Sequence, residues 1–187
     1  MSVFRNITGA YNPVERWVYN HLIAPAIARD FVGHLEVIEK DMTSRFRSDI
    51  RVLDIGCGGG HILEVMRLRY PDMDLTGIDI SPGMLSHARK VLGARSHGHV
   101  RLVRGDATRL PFHDGEFDMI LSSASLKHWS DRRRGILEAV RVTRPGGLLL
   151  VVEIDRDCSD VNAFGFVEGW RVPGLVRGSC RRFFRKY

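Results

Sequence analysis

Val52-Leu53-Asp54-Ile55-Gly56-Cys57-Gly58-Gly59-Gly60 reads as a buried strand that ends in an acid and breaks into a glycine turn opening a helix. Gly56 and Gly58 let the backbone turn sharply and approach a ligand with no Cβ in the way. The helix that follows offers amide N–H groups and a positive dipole end, which suit an anionic group. A dinucleotide fingerprint would need a third glycine at position 61 or 63, and these are His61 and Leu63. The chain carries D-x-G-x-G-x-G instead, Asp54 to Gly60. A carboxylate at that strand end repels a pyrophosphate and suits a cationic group, such as the ammonium of an amino acid. The plainer alternative is a tight strand-to-helix connection.

Two further strand ends repeat the pattern. Leu75-Thr76-Gly77-Ile78-Asp79-Ile80-Ser81 predicts a short buried strand with Asp79 at its carboxyl end, where ligands sit in open α/β sheets. A carboxylate there can accept from both hydroxyls of a ribose. Ser81-Pro82 also reads as N-cap and first residue of a helix through Met84, Leu85 and Ala88, and capping by Ser81 is compatible with binding by Asp79. Val100–Arg104 predicts a third strand leading into Gly105-Asp106-Ala107, again with an acid at the tip. Asp106 or the amides beside it could read an exocyclic amine, and Gly-Asp is also an ordinary turn.

An amino-acid part, a ribose and an adenine are what three such tips describe, and the pattern resembles the class I S-adenosylmethionine-dependent methyltransferase family from about Arg51 to Glu153. Gly105-Asp106-Ala107-Thr108-Arg109-Leu110-Pro111-Phe112 followed by Asp114-Gly115-Glu116-Phe117-Asp118 is similar to the G-D-A-x-x-L-P-F-x-D-x-x-F-D signature of its small-molecule branch, which includes the ubiquinone/menaquinone-biosynthesis methyltransferases. Leu126-Lys127-His128-Trp129 resembles that branch's L-H-H-W run, and Arg144-Pro145-Gly146-Gly147 precedes a fifth strand. The resemblance implies S-adenosyl-L-methionine as cofactor, S-adenosyl-L-homocysteine as product and a small-molecule methyl acceptor. It implies that Gly56, Cys57 and Gly58 line the methionine portion, that Asp79 with Ile80 holds the ribose, and that Asp106 with Ala107 meets adenine. Asp54 orders the turn or meets the ammonium group. Ser122 and Ser123, after a strand from Phe117 to Leu121, face the sulfonium or simply start a loop.

The expected fold class is α/β: a Rossmann-like, doubly wound, mostly parallel sheet with an N-terminal helical cap. Residues 1–48 form the cap, 49–155 the cofactor-binding core and 156–187 a basic C-terminal segment. Within the cap, Val14, Trp17, Val18 and Leu22, then Ile27, Phe31, Leu35 and Ile38, recur at helical spacing. Tyr11 lies where the resembled family commonly has a lid tyrosine. Ile136, Leu137 and Val140 predict the apolar face of a helix from Arg132 to Arg141, which Pro145-Gly146-Gly147 ends before the all-apolar strand Leu148–Val152. The family's sheet has a sixth strand and an antiparallel seventh, and the chain after Glu153 contains no two convincing apolar strands. Either the sequence is a truncated piece, the preferred reading, or the sheet is reduced and its open edge needs a cover such as a second copy in a homodimer.

The chain has 187 residues and a formal charge of +6, all of it traceable to Arg171, Arg177, Arg181, Arg182, Arg185 and Lys186 near the end. Interleaved with Phe183 and Phe184, these could touch nucleic acid or anionic lipid; the favoured reading is plainer, a helix with a solvated basic face or an internal segment of a longer chain. No run approaches the ~18 apolar residues of a membrane span, and no secretory pattern opens the chain, so a cytoplasmic protein is expected. Cys57, Cys158 and Cys180 are odd in number and far apart, arguing for a reducing compartment and against structural zinc. His97 and His99 lack companions at metal-ligand spacing, and no metal is expected.

Methyl transfer from a sulfonium rests mainly on holding the acceptor close and aligned. His128 is the candidate base or orienting group, with packing on Trp129 as the alternative, and Tyr11 the candidate lid contact. Lys127 stands where the branch often has histidine. Nucleic acid is disfavoured as substrate, because Ser122-Ser123-Ala124-Ser125 replaces the [D/N]-P-P-[Y/F] of amino-methylating enzymes and no Pro-Cys pair is present. A regulatory protein that keeps the cofactor fold without turnover is the other alternative.

Overall fold

The computed structural model describes residues 13–45, 49–93 and 100–153. Tyr11, His97, His99, Cys158, Cys180 and the basic segment 156–187 lie outside the described residues, as does the chain in which a sixth and seventh strand were sought.

Five strands form one parallel sheet in the order β3-β2-β1-β4-β5, from β1 Arg51–Ile55, β2 Asp74–Asp79, β3 Val100–Arg104, β4 Phe117–Ser123 and β5 Thr143–Val152. The chain winds outward from β1 through β2 to β3, then crosses back to lay β4 and β5 on the other side of β1. The direction reverses between β1 and β4, so the carboxyl ends of those two strands border the crevice where such sheets take ligands.

Both faces of the sheet are covered, which is why its central strands read as continuous apolar runs. Val52, beside Leu75 and Met119 in register, faces a core shared with Leu63, Met66 and Leu85 of the helices α3 (His61–Arg69) and α4 (Pro82–Gly93). Leu53 and Ile55 point the other way, with Ile78, Ile120, Phe117, Ala139 and Val142. The alternation puts Asp54 on the same face as Val52, among apolar side chains.

The described part of the N-terminal region, α1 (Pro13–Val18), a π-helical turn (Tyr19–Ile23) and α2 (Ala24–Arg45), is one run, because Val18 and Ala24 on either side of the turn keep helical backbone angles. Ile27, Phe31 and Leu35 are buried, as their spacing predicts. Trp17 is not: it is 56% exposed and stacks on His21, since the π turn adds a residue and rotates the preceding helix away from the core.

Three other local expectations change. The helix α5 runs Arg132–Val142 and buries Gly135, Ala139 and Val142, whereas Leu137 and Val140 are 59% and 55% exposed. The small side wins because a side chain at Gly135 would collide with the Trp129 ring lying against it. Pro145-Gly146-Gly147 does not separate helix from strand. It forms an irregularity inside β5, which pairs at Thr143 with Phe117 and again from Leu148 with Met119. Ser122 and Ser123 are strand residues, since β4 keeps pairing with β5 through Ser123 and Val152.

The G-D-A-x-x-L-P-F signature proves to be largely a packing device. Leu110 and Phe112 are buried, and the Phe112 ring meets Phe117 edge-on at 5.0 Å. The Arg141 guanidinium donates to the carbonyls of Phe112 (2.8 Å) and Leu110 (3.1 Å) and to Asp114, while Glu138 accepts from the Leu110 amide at 2.8 Å. Asp118 ties strand starts together: Oδ2 accepts from the Arg51 amide at 2.7 Å and Oδ1 pairs with Arg144 at 2.9 Å.

Candidate functional site

The glycine turn is held by β2. Gly56, Gly58 and Gly60 have φ of 78°, 52° and 79°, left-handed conformations that a side chain would strain. The amides of Gly56 and Cys57 both donate to the Ile78 carbonyl, at 2.8 and 3.0 Å, so the turn folds over the tip of β2. Asp79 completes the attachment, with Oδ2 accepting from the Gly58 amide (2.9 Å) and Oδ1 from the Ser81 amide (2.8 Å). Ser81 caps α4 as expected, its hydroxyl accepting from the Met84 amide at 3.3 Å.

Asp54 lies beneath this turn, 1% exposed, and its Oδ2 has no hydrogen-bond partner. Burial, and then the neighbouring Asp79 carboxylate, raise its pKa from 3.8 to about 7. Burial also raises Asp79, against the lowering effect of its two amide donors. A buried carboxylate oxygen without a donor is costly unless a cation arrives. The amino end of an amino acid fits that need, and the glycine at position 58 lets the Tyr19 ring come close, since a Cβ there would already lie in contact with it at 3.9 Å. These residues therefore fit the methionine portion of the cofactor. Cys57 contributes only its backbone on that side. Its thiol packs into the core under Gly77, and burial raises its pKa.

The third tip adjoins the second, for the Gly105 amide donates to the Asp79 carbonyl at 3.2 Å. Asp106 Oδ1 accepts from the Thr108 amide (2.8 Å) and hydroxyl (2.9 Å), which makes the ordinary turn reading true of this oxygen. Ile80 is 45% exposed beside Asp79, and Ala107 is half-buried. The structure thus brings Asp54, Gly56, Gly58 and Asp79 together and sets Asp106 and Ala107 one strand further along.

Sequence reasoning missed Ser125. Its hydroxyl donates to the Ile55 carbonyl at 2.9 Å, across the point where the strand order reverses, and accepts from Trp129 Nε1 at 3.1 Å. The fully buried Ser122 hydroxyl lies 2.9 Å from it. A Cβ on Gly56 would come within 2.5 Å of Ser125, so the first glycine of the motif makes room for the strand β4 side of the crevice. The signal was available in Ser122-Ser123-Ala124-Ser125, hydroxyls bracketing an alanine whose φ of 53° is unusual for a residue with a side chain. His128 follows in a single 3₁₀ turn, Leu126–His128. Its residue surface is exposed, yet the loss of water around the ring, with Lys127 adjacent, lowers its pKa to about 4. Among the described residues no cluster of three metal-binding side chains occurs, and no helix is long and apolar enough to cross a membrane.

Residues 53–151 match the methyltransferase domain family. A demethylmenaquinone methyltransferase of Deinococcus radiodurans is 35% identical over 117 residues, covering 63% of this chain and 47% of that protein. A chloroplastic 2-methyl-6-phytyl-1,4-hydroquinone methyltransferase 2 of Oryza sativa is 33% identical over 135 residues, 72% of this chain and 37% of that protein. The crystal structure of the YcgJ protein of Bacillus subtilis superposes with a TM-score of 0.56 at 30% identity, covering 71% of this chain and 57% of the other. The chain spans about half the length of the curated relatives it matches, or less. With its fold and the family match over more than half its length, the chain belongs to the methyltransferase domain family, in the class I, Rossmann-like architecture whose cofactor is S-adenosyl-L-methionine.

Proposed function

We propose that the chain carries the cofactor-binding core of an enzyme that methylates a small molecule, an aromatic quinol of the kind named in its relatives. The observation that carries the reading is the buried, partnerless Asp54 oxygen beneath a glycine turn that Asp79 straps to β2. In this reading Asp54 receives the ammonium group. The backbone of Gly56, Cys57 and Gly58 bounds the methionine portion. The remaining lone pairs of Asp79 accept from the ribose hydroxyls beside Ile80, and the Asp106-Ala107 turn reads the adenine amine. S-adenosyl-L-methionine bound there would supply a methyl group already activated on a sulfonium, leaving S-adenosyl-L-homocysteine.

The protein's own task is then alignment of the acceptor and exclusion of water. His128, held uncharged at neutral pH by its lowered pKa, can accept a proton from the acceptor or orient it. Tyr11 is assigned a lid contact from its position in sequence. Ser123 lines the crevice at the end of β4, whereas Ser122 acts through Ser125. The run Ser122-Ser123-Ala124-Ser125, with no planar-amine clamp, supports a small molecule over nucleic acid. The widely spaced cysteines support a cytoplasmic setting, and an outer β5 edge without a neighbouring strand among the described residues supports pairing with a second copy.

Thermal-shift and calorimetric titration with S-adenosyl-L-homocysteine test the cofactor half. Saturation at about a hundred times Kd adds roughly 2.7 kcal/mol of stability, and NAD adds none. Labelled methyl transfer to short-chain 1,4-hydroquinones, but not to DNA or RNA, tests the acceptor half. Cofactor binding without transfer to any acceptor would favour a regulatory role instead.

A further inference from the structure

The N-terminal helix reaches the glycine loop at one buried polar residue. Asn20, the second residue of the π-helical turn, is 1% exposed. Its Nδ2 donates to the Met84 sulfur of α4 at 3.4 Å, and its Oδ1 has no hydrogen-bond partner. That oxygen occupies the space a side chain on Gly59 would need, with Asn20 Cγ 3.0 Å from the same point. Gly59 has no left-handed φ to explain it. The residue is glycine because the carboxamide, with the His87 ring beside it, leaves no room for a side chain there.

Neighbouring contacts follow the same seam. The Tyr19 ring would touch a Cβ on Gly58 at 3.9 Å, and the Arg16 guanidinium fills the space over Gly83 at the start of α4. His21 meets His87 edge-on at 5.3 Å, and His87 lies 5.7 Å from His61, the first residue after the loop. π turns recur at functional sites because the extra residue re-aims side chains without ending the helix. Here the turn aims Asn20 inward.

We infer that Asn20 is a positioning residue: its carboxamide keys the N-terminal helix onto Gly59 and Met84, and the cofactor loop has full affinity only when that helix is seated. The affinity part rests on the proposed cofactor site. The keying part rests on the contacts alone. With the Asn20 carboxamide packed on Gly59 and the Tyr19 ring beside Gly58, the seated helix leaves the loop little room to shift. Ordering both together before the ligand arrives lowers the cost of binding.

The test is a double-mutant cycle on the full chain with Asn20→Ala, Gly59→Ala and the pair, read by hydrogen exchange over residues 13–23 and by the Kd for S-adenosyl-L-homocysteine. Gly59→Ala should unseat the helix, raising exchange in 13–23 at least 10-fold and weakening binding about 10-fold, because the new methyl overlaps Asn20. Asn20→Ala should weaken binding 3- to 10-fold while the melting temperature moves by no more than a few degrees, a split that a merely structural role would not give. The pair should bind more tightly and exchange more slowly than Gly59→Ala, since removing the carboxamide takes away the severe overlap and leaves only the His87 ring, 3.1 Å from the methyl, to give slightly. If Gly59→Ala leaves exchange in 13–23 unchanged, or the pair is no better than Gly59→Ala, the inference is overturned. Unmutated chain that fails to bind S-adenosyl-L-homocysteine overturns the proposed cofactor site and the affinity part with it, and exchange alone then decides the keying.

Discussion

Asp79 Oδ2 accepts a 2.9 Å hydrogen bond from the Gly58 amide, so the carboxylate that ends β2 is also the strut of the turn that ends β1. A single side chain therefore fixes the loop and presents the acid. Asp79→Ala removes the acceptor of two backbone amides and should cost about 1–3 kcal/mol in chemical denaturation. It should also eliminate the stabilisation by S-adenosyl-L-homocysteine. An Asp79→Ala chain that is shifted by ligand as far as the parent would refute the ribose assignment.

Asp54 is predicted to make the ligand-free chain less stable as pH rises. Its folded pKa of about 7 lies above the ordinary 3.8, so between those values the folded chain holds a proton that the unfolded chain has lost. Its contribution is fully present below about 4 and disappears as pH climbs through 7. Asp54→Asn should accordingly melt higher than the parent at pH 8, with the gap closing toward pH 4, and should bind S-adenosyl-L-homocysteine more weakly. Equal melting temperatures at pH 8 would remove the buried-charge account.

His128 has the opposite sign. Its folded pKa of about 4 lies below the ordinary 6.5, so its contribution is intact above 6.5 and drains away as pH falls toward 4. An NMR titration of the ring should give a midpoint well under 6. His128→Ala should leave S-adenosyl-L-homocysteine affinity at pH 7.5 unchanged while slowing methyl transfer about 10²-fold, the low end for a general base. Undiminished turnover would reduce the residue to packing.

Arg141 is expected to be the anchor of the 105–116 loop. Replacing it with Ala strands the Leu110 and Phe112 carbonyls and leaves Glu138 without its fork, at a cost of about 2 kcal/mol. Lys should recover little of this, because one ammonium cannot reproduce the planar set of donors. Denaturant midpoints of both variants measure the effect. Looser adenine-side binding should accompany it, through the Asp106-Ala107 turn on the same loop.

The strands and the glycine turn were legible because each depends on neighbours in sequence: an apolar run, an acid, then glycines. Val100–Arg104 and the Ser81 cap are of that kind, and both are as read. What escaped depends on partners far along the chain. Ser125 meets Ile55 from 70 residues away, and Asn20 meets Met84 from 64. The exposed face of α5 was misjudged for a related reason. Periodicity counts large apolar residues, and here tight packing against Trp129 selects the side with Gly135 and Ala139. Trp17 shares the helical spacing of Val14, Val18 and Leu22, but a π turn departs from the regular 3.6-residue repeat and leaves it exposed.

Ala124 has the left-handed backbone at φ 53° between β4 and the short turn that carries His128. Glycine would relax there at no steric cost. Alanine accepts roughly 1 kcal/mol of torsional strain instead, and in return it has fewer directions in which to leave the sheet. The turn that carries His128 thus departs from β4 along a narrow, predetermined bearing, and a glycine at this position should make the protein sturdier but its aim less certain.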